Sequence, residues 1–199
     1  YPAKKHKDAF YIIRNNNVNT TIHAGEAFGP ESIHQAIHTC GANRIGHGIR
    51  LLEDPELLSY VNDHRICLEI CITSNFHTGA VDSIKEHPFI YYYNKGVRVC
   101  LNTDNRLISN TNLSNEYLIA SQLFNLSLTD IREIIIMSMK SAFIPHQERK
   151  ELIKVLKNLG EKGKVSIRNI RRESNDNIKQ LLKEKKISED ESKNYESEV

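Results

Sequence analysis

Apolar runs and helix-like stripes alternate over the first 145 residues of the chain. Four short runs rich in β-branched residues predict strands at about 18–23, 44–48, 66–71 and 97–103. After Pro30, residues Ile33, Ala36 and Ile37 recur at helical spacing until Gly41. Further helices are predicted at 4–14, after Asp54-Pro55-Glu56, at 114–124 and at 129–143, with a helical or irregular connection over 80–94. Short apolar strands joined by helices predict an α/β fold with four parallel strands.

The pattern changes beyond Pro145. Residues 146–199 contain neither Phe, Cys nor Pro and carry long runs of charge. Their apolar residues recur at spacings near three and four, which predicts a long amphipathic helix: Leu152, Val155, Leu156, Leu159, Ile167, Ile170, Ile178, Leu181 and Leu182. Ser188 followed by Glu191 resembles a capping box, so a further helix should complete a helical hairpin. We therefore predict two domains, residues 1–146 and 147–199.

Length and composition restrict the fold and the class of protein. At 199 residues the chain suits one domain with an appendage, and a closed eight-unit barrel needs about 250 residues. A hydrophobic share of 39% with 26% charged residues is typical of globular proteins. An apolar run of roughly 20 residues or a signal peptide is not found, so we expect a cytoplasmic protein without membrane contact. Because the chain begins inside a helical pattern without Met, we expect an internal piece of a longer protein.

The four cysteines lie in apolar segments and lack the paired spacing of zinc ribbons: Cys40, Cys67, Cys71 and Cys100. Reduced thiols in the core are the expected state.

Polar residues follow the end of each predicted strand. His23 closes the first apolar run, Gly25 permits a tight turn, and the Glu26 carboxylate comes three residues after the imidazole. Imidazole is a zinc ligand and a nearby carboxylate can shuttle protons, although a histidine here can also be purely structural. Equivalent positions after the other strands hold His47, Thr73-Ser74-Asn75 and Asp104-Asn105. Because parallel α/β folds place their chemistry at the carboxyl ends of strands, these residues predict an active site.

Four consecutive motifs resemble those of the adenosine deaminase family. They are His23-Ala24-Gly25-Glu26, Arg44-Ile45-Gly46-His47-Gly48, Thr73-Ser74-Asn75 with Thr78-Gly79-Ala80-Val81, and Asn102-Thr103-Asp104. The resemblance covers residues 1 to about 150. It implies the second half of a (β/α)8 metal-dependent hydrolase barrel. It also implies hydrolytic, zinc-dependent deamination of adenosine and deoxyadenosine to inosine and deoxyinosine.

The resemblance further assigns roles to single residues. His23 and Asp104 would be zinc ligands, and Glu26 would protonate the purine ring at N1. His47 would orient the attacking hydroxide and stabilise its charge. Gly25 and Asn105 would contact the substrate, although Asn105 stands where much of the family has aspartate. An amide there can offer an N–H to purine N7, an acceptor.

The family pattern includes parts that lie outside these motifs. Two further zinc ligands come from a His-x-His on the first barrel strand, for which the chain has no counterpart. Since catalytic zinc needs at least three protein ligands and a water, we expect this chain alone to be inactive and to bind zinc weakly. Open strand edges near Ile22 and Leu101 should favour self-association or pairing with the other half.

The tail resembles a second family. Lys164-Val165-Ser166-Ile167-Arg168-Asn169-Ile170-Arg171-Arg172, followed by Lys185-Lys186-Ile187-Ser188, is similar to the three-helix bundle of ribosome recycling factor. That resemblance implies contact of Arg168, Arg171 and Arg172 with ribosomal RNA, although a solvated helix face explains these charges equally well. The alternative to a deaminase is thus a ribosome-binding helical module that carries an inert half barrel.

Overall fold

The computed structural model describes residues 3–199 and divides into two compact units. The first, the sheet unit, extends to Ile144, and the second, the tail unit, comprises Pro145–Val199. The predicted domain boundary between residues 146 and 147 stays a prediction. Each helix of the described residues lacks either the length or the apolar character that would let it cross a membrane.

Four parallel strands form the sheet in the order in which they occur in the sequence. They are β1 (Thr21–Ala24), β2 (Arg44–His47), β3 (Cys67–Ile70) and β4 (Val99–Leu101). Ile22 lies beside Ile45, Ile45 beside Leu68, and Leu68 beside Val99. The predicted α/β fold with four parallel strands is confirmed. Among the described residues, β1 and β4 are the edges of the sheet, and self-association through them stays a prediction.

Eight α-helices in the described part of the sheet unit follow or precede these strands. They are α1 (Lys7–Asn15), α2 (Pro30–His34), α3 (Pro55–Asp63), α4 (Ile72–His77), α5 (Phe89–Asn94), α6 (Arg106–Ser109), α7 (Leu113–Phe124) and α8 (Leu128–Ser141). α2 continues as a π-helical turn over Gln35–Thr39 and ends before Gly41, which has φ +74°. Asp54 caps α3 as its motif predicts, because its side chain accepts hydrogen bonds from Glu56 and Leu57.

Two short helices were not predicted, α4 and α6. The first four residues of α4, Ile72-Thr73-Ser74-Asn75, favour strands, caps or turns more than helices. A tertiary contact supports the first turn instead: the buried Glu116 carboxylate on α7 accepts a hydrogen bond of 3.2 Å from the Thr73 N–H. Local propensity alone therefore misses a helix that the rest of the unit holds in place.

Strand side chains alternate between an apolar and a polar face of the sheet. Ile45 and Leu68 are fully buried, and each contributes about 1.5–3 kcal/mol to the stability of the core. The opposite face carries polar residues, where Arg44 Nε lies 2.9 Å from a Glu69 oxygen and the Thr21 hydroxyl donates to Glu69 at 2.6 Å. One face of the sheet thus contributes to the apolar core, and the other carries a charged network in which Arg44 also donates to Ser141 O at the end of α8 at 3.3 Å.

The cysteines lie within this unit as free, buried thiols, which confirms the prediction. Burial raises the pKa of Cys71 to about 12. A thiol with such a pKa stays protonated and unreactive at neutral pH.

Two helices make up the tail unit, α9 (His146–Lys183) and α10 (Glu189–Glu198). The predicted long helix and the capping box are confirmed, because the Ser188 hydroxyl accepts from the Glu191 N–H while Glu191 accepts from the Ser188 N–H. Ile178 and Ser192 are buried, whereas Leu159 and Ile170 are more than half exposed.

Candidate active site

Four polar side chains gather at the carboxyl edge of the sheet. His23 lies near the end of β1 and His47 ends β2, while Asn75 sits on α4 directly after β3. Asp104 follows β4 and accepts a hydrogen bond of 2.7 Å from the Ser74 hydroxyl. The parallel topology thus brings together residues that are up to 81 positions apart in the sequence.

Left-handed backbone turns direct these side chains. Gly25 and Gly48 have φ values of +70° and +66°, and a Cβ on Gly25 would collide with the Ile33 side chain. His47 and Asp104 adopt φ values of +65° and +53°, a conformation that is uncommon for residues with a side chain. Backbone strain at two candidate residues is typical of functional positions that the surrounding structure holds in place.

Two of these side chains, His23 and His47, join Glu26 in an imidazole–carboxylate cluster. His23 Nε2 lies 3.4 Å from one Glu26 oxygen, and His47 Nδ1 lies 3.5 Å from the other. One ligand atom from each residue lies within 4.8 Å of the other two, so the cluster is a possible metal-binding triad. Imidazole nitrogens and a carboxylate oxygen are donors that suit zinc. The cluster does not include Asp104, so the expected ligand pair of His23 and Asp104 stays a prediction.

The members of the cluster differ in burial. The His23 side chain is 63% exposed, whereas those of Glu26 and His47 are 11% and 6% exposed. Burial lowers the pKa of His47, although the Glu26 carboxylate opposes that shift. His47 is therefore neutral near pH 7, and His23 is the member most accessible to a ligand.

Hydrogen bonds from Asn75 join the half-buried Glu26 to the buried His47. Its Nδ2 lies 2.8 Å from a Glu26 oxygen and 2.9 Å from His47 Nδ1. The same Glu26 oxygen accepts a hydrogen bond of 3.0 Å from the Thr78 hydroxyl. The sequence placed Asn75 at the site without a role, and it gave no role to Thr78 either. Both lie in the motif that follows β3, so the motif was the available signal.

Two buried residues behind the site were missed, Glu116 and His87. Glu116 accepts from the Thr73 N–H and from the Thr111 hydroxyl, and His87 Nε2 lies 3.2 Å from Asn75 Oδ1. No local signal marks the Thr73–Glu116 and Asn75–His87 contacts, because their partners lie 43 and 12 positions apart.

Asn105 has a structural task in addition to its predicted contact with substrate. Its side-chain oxygen caps α6 by accepting from the Leu107 and Ile108 N–H groups at 3.1 and 3.2 Å. Both lone pairs of that oxygen are thereby used, so Asn105 can offer a ligand its amide N–H groups. Its role toward substrate stays a prediction.

The remaining predicted residues lie in the tail. Arg168, Arg171 and Arg172 are exposed on α9, within the tail unit.

A cavity of about 350 Å³ opens beside the cluster. Its lining includes His23, Gly25, Glu26, Phe28, Ser32 and Gln35. The Gly25 N–H at its wall donates to the Ser32 hydroxyl at 2.8 Å. A small molecule in this cavity would therefore meet the exposed imidazole and the carboxylate of the cluster.

Comparison with known proteins identifies relatives of the sheet unit. The family model described as Adenosine deaminase matches residues 2–159, which reach into α9. Adenosine deaminases of Mycobacterium ulcerans (strain Agy99) and Mycobacterium sp. (strain KMS) are each 48% identical over 164 residues. Those alignments cover 77% of this chain and 45% of each relative, so the chain spans about half the length of the curated relatives it matches.

Solved structures agree on the fold. An adenine deaminase from Arthrobacter aurescens superimposes with a TM-score of 0.77 at 22% identity, covering 80% of this chain and 49% of that one. The N6-methyl-AMP deaminase from Arabidopsis thaliana superimposes with a TM-score of 0.69 at 29% identity, covering 76% of this chain and 44% of that one. The first match shows the fold alone, and the sheet unit resembles part of a metal-dependent hydrolase barrel.

Proposed function

This chain belongs to the adenosine deaminase family, and from that membership we propose that it carries the carboxyl-terminal half of a purine deaminase active site. The proposed reaction adds water at C6 of a 6-aminopurine and releases ammonia. The observation that carries the proposal is the imidazole–carboxylate cluster, which lies at the carboxyl ends of parallel strands with Asn75 bonded to Glu26 and His47.

We propose zinc as the metal of this site. His23 supports this choice because its imidazole is exposed at the cavity, and Asp104 offers a carboxylate at the same edge of the sheet. When bound, zinc lowers the pKa of water to about 7 and so supplies a nucleophile at neutral pH. Two ligands from this chain are fewer than the three that catalytic zinc requires, so the remaining ligands must come from another segment.

Glu26 and His47 have distinct proposed roles. One Glu26 oxygen is occupied by Asn75 and Thr78, which leaves the other, on the His23 side, to deliver a proton to purine N1. His47 is buried and neutral, so it can orient the attacking water by hydrogen bonding. Positioning of a proton donor contributes typically 10²–10⁴-fold to the rate.

The substrate class is a 6-aminopurine, with adenosine first. The mycobacterial relatives are adenosine deaminases, while the structural relatives include an adenine deaminase and an N6-methyl-AMP deaminase. Addition of water at C6 with protonation at N1 is common to all three substrates, which differ in the sugar, the phosphate and the N6-methyl group. N6-methyl-AMP would release methylamine in place of ammonia, so its assay measures that amine. We therefore propose assays with adenosine, adenine and N6-methyl-AMP in parallel.

Complementation tests the proposal. The full chain is mixed with the amino-terminal half of the Mycobacterium ulcerans adenosine deaminase in the presence of zinc, and ammonia release is measured. We expect activity from the mixture and none from either part alone, because each part lacks some of the ligands. If the mixture forms a stable complex on size-exclusion chromatography but releases no ammonia, the proposal is contradicted.

A matched pair of variants tests the assignment of Glu26. Glu26→Gln removes the proton donor while keeping the size of the side chain, and we expect about 10²–10⁴-fold less ammonia release. Glu86→Gln makes the same chemical change at an exposed position outside the cluster and should retain activity. Equal rates for the two variants would show that Glu26 is not the proton donor.

For the tail, we propose RNA binding as a second, separate function. The spacing of Arg168, Arg171 and Arg172 places them on one side of α9, where all three are exposed. Guanidinium groups bind phosphate well, and such binding weakens with salt. Ribosome binding that falls with salt and disappears when the three arginines become glutamine supports this function. Binding that persists in that variant excludes it.

A further inference from the structure

We infer that His87 is a positioning residue for the candidate site, because it orients the Asn75 amide that holds Glu26 and sets the tautomer of His47. Its relevance to catalysis rests on the proposed function, whereas the hydrogen-bond chain itself does not. His87 lies between α4 and α5, outside every motif that the sequence analysis identified. Its hydrogen bond toward the cluster is made to Asn75.

The first step fixes the proton of His87. The Phe89 N–H donates to His87 Nδ1 at 3.1 Å, so Nδ1 is an acceptor and the ring proton of the neutral imidazole lies on Nε2. Burial, assisted by nearby His47, lowers the pKa of His87 to about 4. The ring is only 1% exposed, so solvent does not compete for these contacts.

The second step fixes the orientation of Asn75. His87 Nε2–H faces Asn75 Oδ1 at 3.2 Å, which assigns that atom as the amide oxygen. The Asn75 NH2 group then points the opposite way, toward Glu26 and His47. Its two hydrogens suit the two acceptors that it meets there at 2.8 and 2.9 Å. Asn75 itself is fully buried, so every polar atom of its amide has a partner within the unit.

The third step concerns His47. Because His47 Nδ1 accepts from Asn75, the proton of its neutral ring lies on Nε2. His47 therefore presents an N–H donor to the site, which suits the orientation of an attacking water. The chain of contacts runs from the α5 backbone through His87 and Asn75 to the cluster.

The test uses nuclear magnetic resonance of the full chain labelled with 15N in its histidine rings and asparagine amides. Wild-type His47 and His87 should each show a single tautomer protonated at Nε2 near pH 7. His87→Phe removes the donor but keeps an aromatic ring. We expect the Asn75 amide hydrogens to exchange about tenfold faster and His47 to sample both tautomers, because one buried hydrogen bond is lost.

Two further variants separate positioning from packing. His87→Gln keeps an N–H donor that can reach Asn75, and it should restore slow exchange and the single His47 tautomer. Tyr92→Phe removes a different buried donor of α5, whose hydroxyl bonds Ile49 O at 2.7 Å, and it should leave Asn75 and His47 unchanged. Similar changes in His87→Phe and Tyr92→Phe would assign His87 a packing role only.

Wild type alone can also overturn the inference. A His47 ring protonated at Nδ1 is incompatible with donation from Asn75, whether or not any variant folds. These readouts do not depend on deamination, so failure of the proposed function and failure of this inference remain distinguishable. In the complemented enzyme, His87→Phe should lower kcat with little change in KM, and His87→Gln should recover it.

Discussion

The sheet unit and the tail unit use apolar residues in different ways. In the sheet unit, Ile45 and Leu68 from neighbouring strands are fully buried in one core. In the tail unit, Leu159 and Ile170 are 57% and 63% exposed on α9, and burial is confined to positions such as Ile178. Long-range packing thus defines the first unit, whereas local helix formation and capping define most of the second.

This difference explains where precise chemistry can be built. The cluster depends on contacts between residues far apart in sequence, for example Asn75 with Glu26 and His47. A continuous helix such as α9 can align charges along one side, but it cannot hold three groups around a small ligand. We therefore expect the two units to respond differently to the same kind of substitution.

The largest difference should come from leucine truncation. Leu68→Ala opens a cavity in a fully packed core and should lower the free energy of unfolding of the sheet unit by about 2–5 kcal/mol. Leu159→Ala makes the same change on the exposed face of α9 and should alter stability by less than about 0.5 kcal/mol. Amide hydrogen exchange at increasing denaturant concentration measures the free energy of unfolding of each unit separately. Equal losses of that free energy in the two variants would refute the contrast.

Acid should weaken the sheet unit through His87. An unfolded histidine binds its proton near pH 6.5, whereas folded His87 has a pKa of about 4, so the unfolded state holds more protons between these values. The contribution of neutral His87 to the free energy of unfolding is complete above about pH 6.5. About 3 kcal/mol of that free energy is lost as the pH falls to 4.

The pH effect has an internal control. Residues 145–199 contain one histidine, His146, which is exposed, so the tail unit should show no such loss from a buried imidazole. His87→Gln should flatten the slope of stability between pH 4 and 6.5 in the sheet unit. A slope that stays the same in this variant assigns the effect to other groups.

Glycine substitutions should give smaller effects of opposite sign. Gly163→Ala lies in the interior of α9, where an added Cβ meets nothing within 4 Å, and it should stabilise the helix by about 1 kcal/mol. Gly48→Ala must keep φ +66° and would place its Cβ 2.8 Å from a Leu68 methyl, so it should cost about 2 kcal/mol. Thermal unfolding followed by circular dichroism measures the melting temperature of each variant. If both variants shift the melting temperature in the same direction, the comparison is contradicted.

Sequence patterns correctly predicted the helices and strands that are determined by residues close together in the chain. The four strands were found, although β1 begins at Thr21 rather than near Val18, which is exposed. α9 and the Ser188 capping box were also found, because helical spacing and cap chemistry act within a few residues. α4 was missed, since Glu116 on α7 supports its first turn.

For the candidate site, the sequence by itself determined which polar residues follow the strands, and parallel pairing then implied one shared edge. Residue types and strand order sufficed for this, since β-strand periodicity and right-handed crossovers leave few arrangements. Only the tertiary structure decided that Glu26 and His47 meet through Asn75, that Ser74 bonds Asp104, and that His87 stands behind them. These contacts depend on side-chain orientation across separate elements, and no local pattern in the chain encodes that geometry.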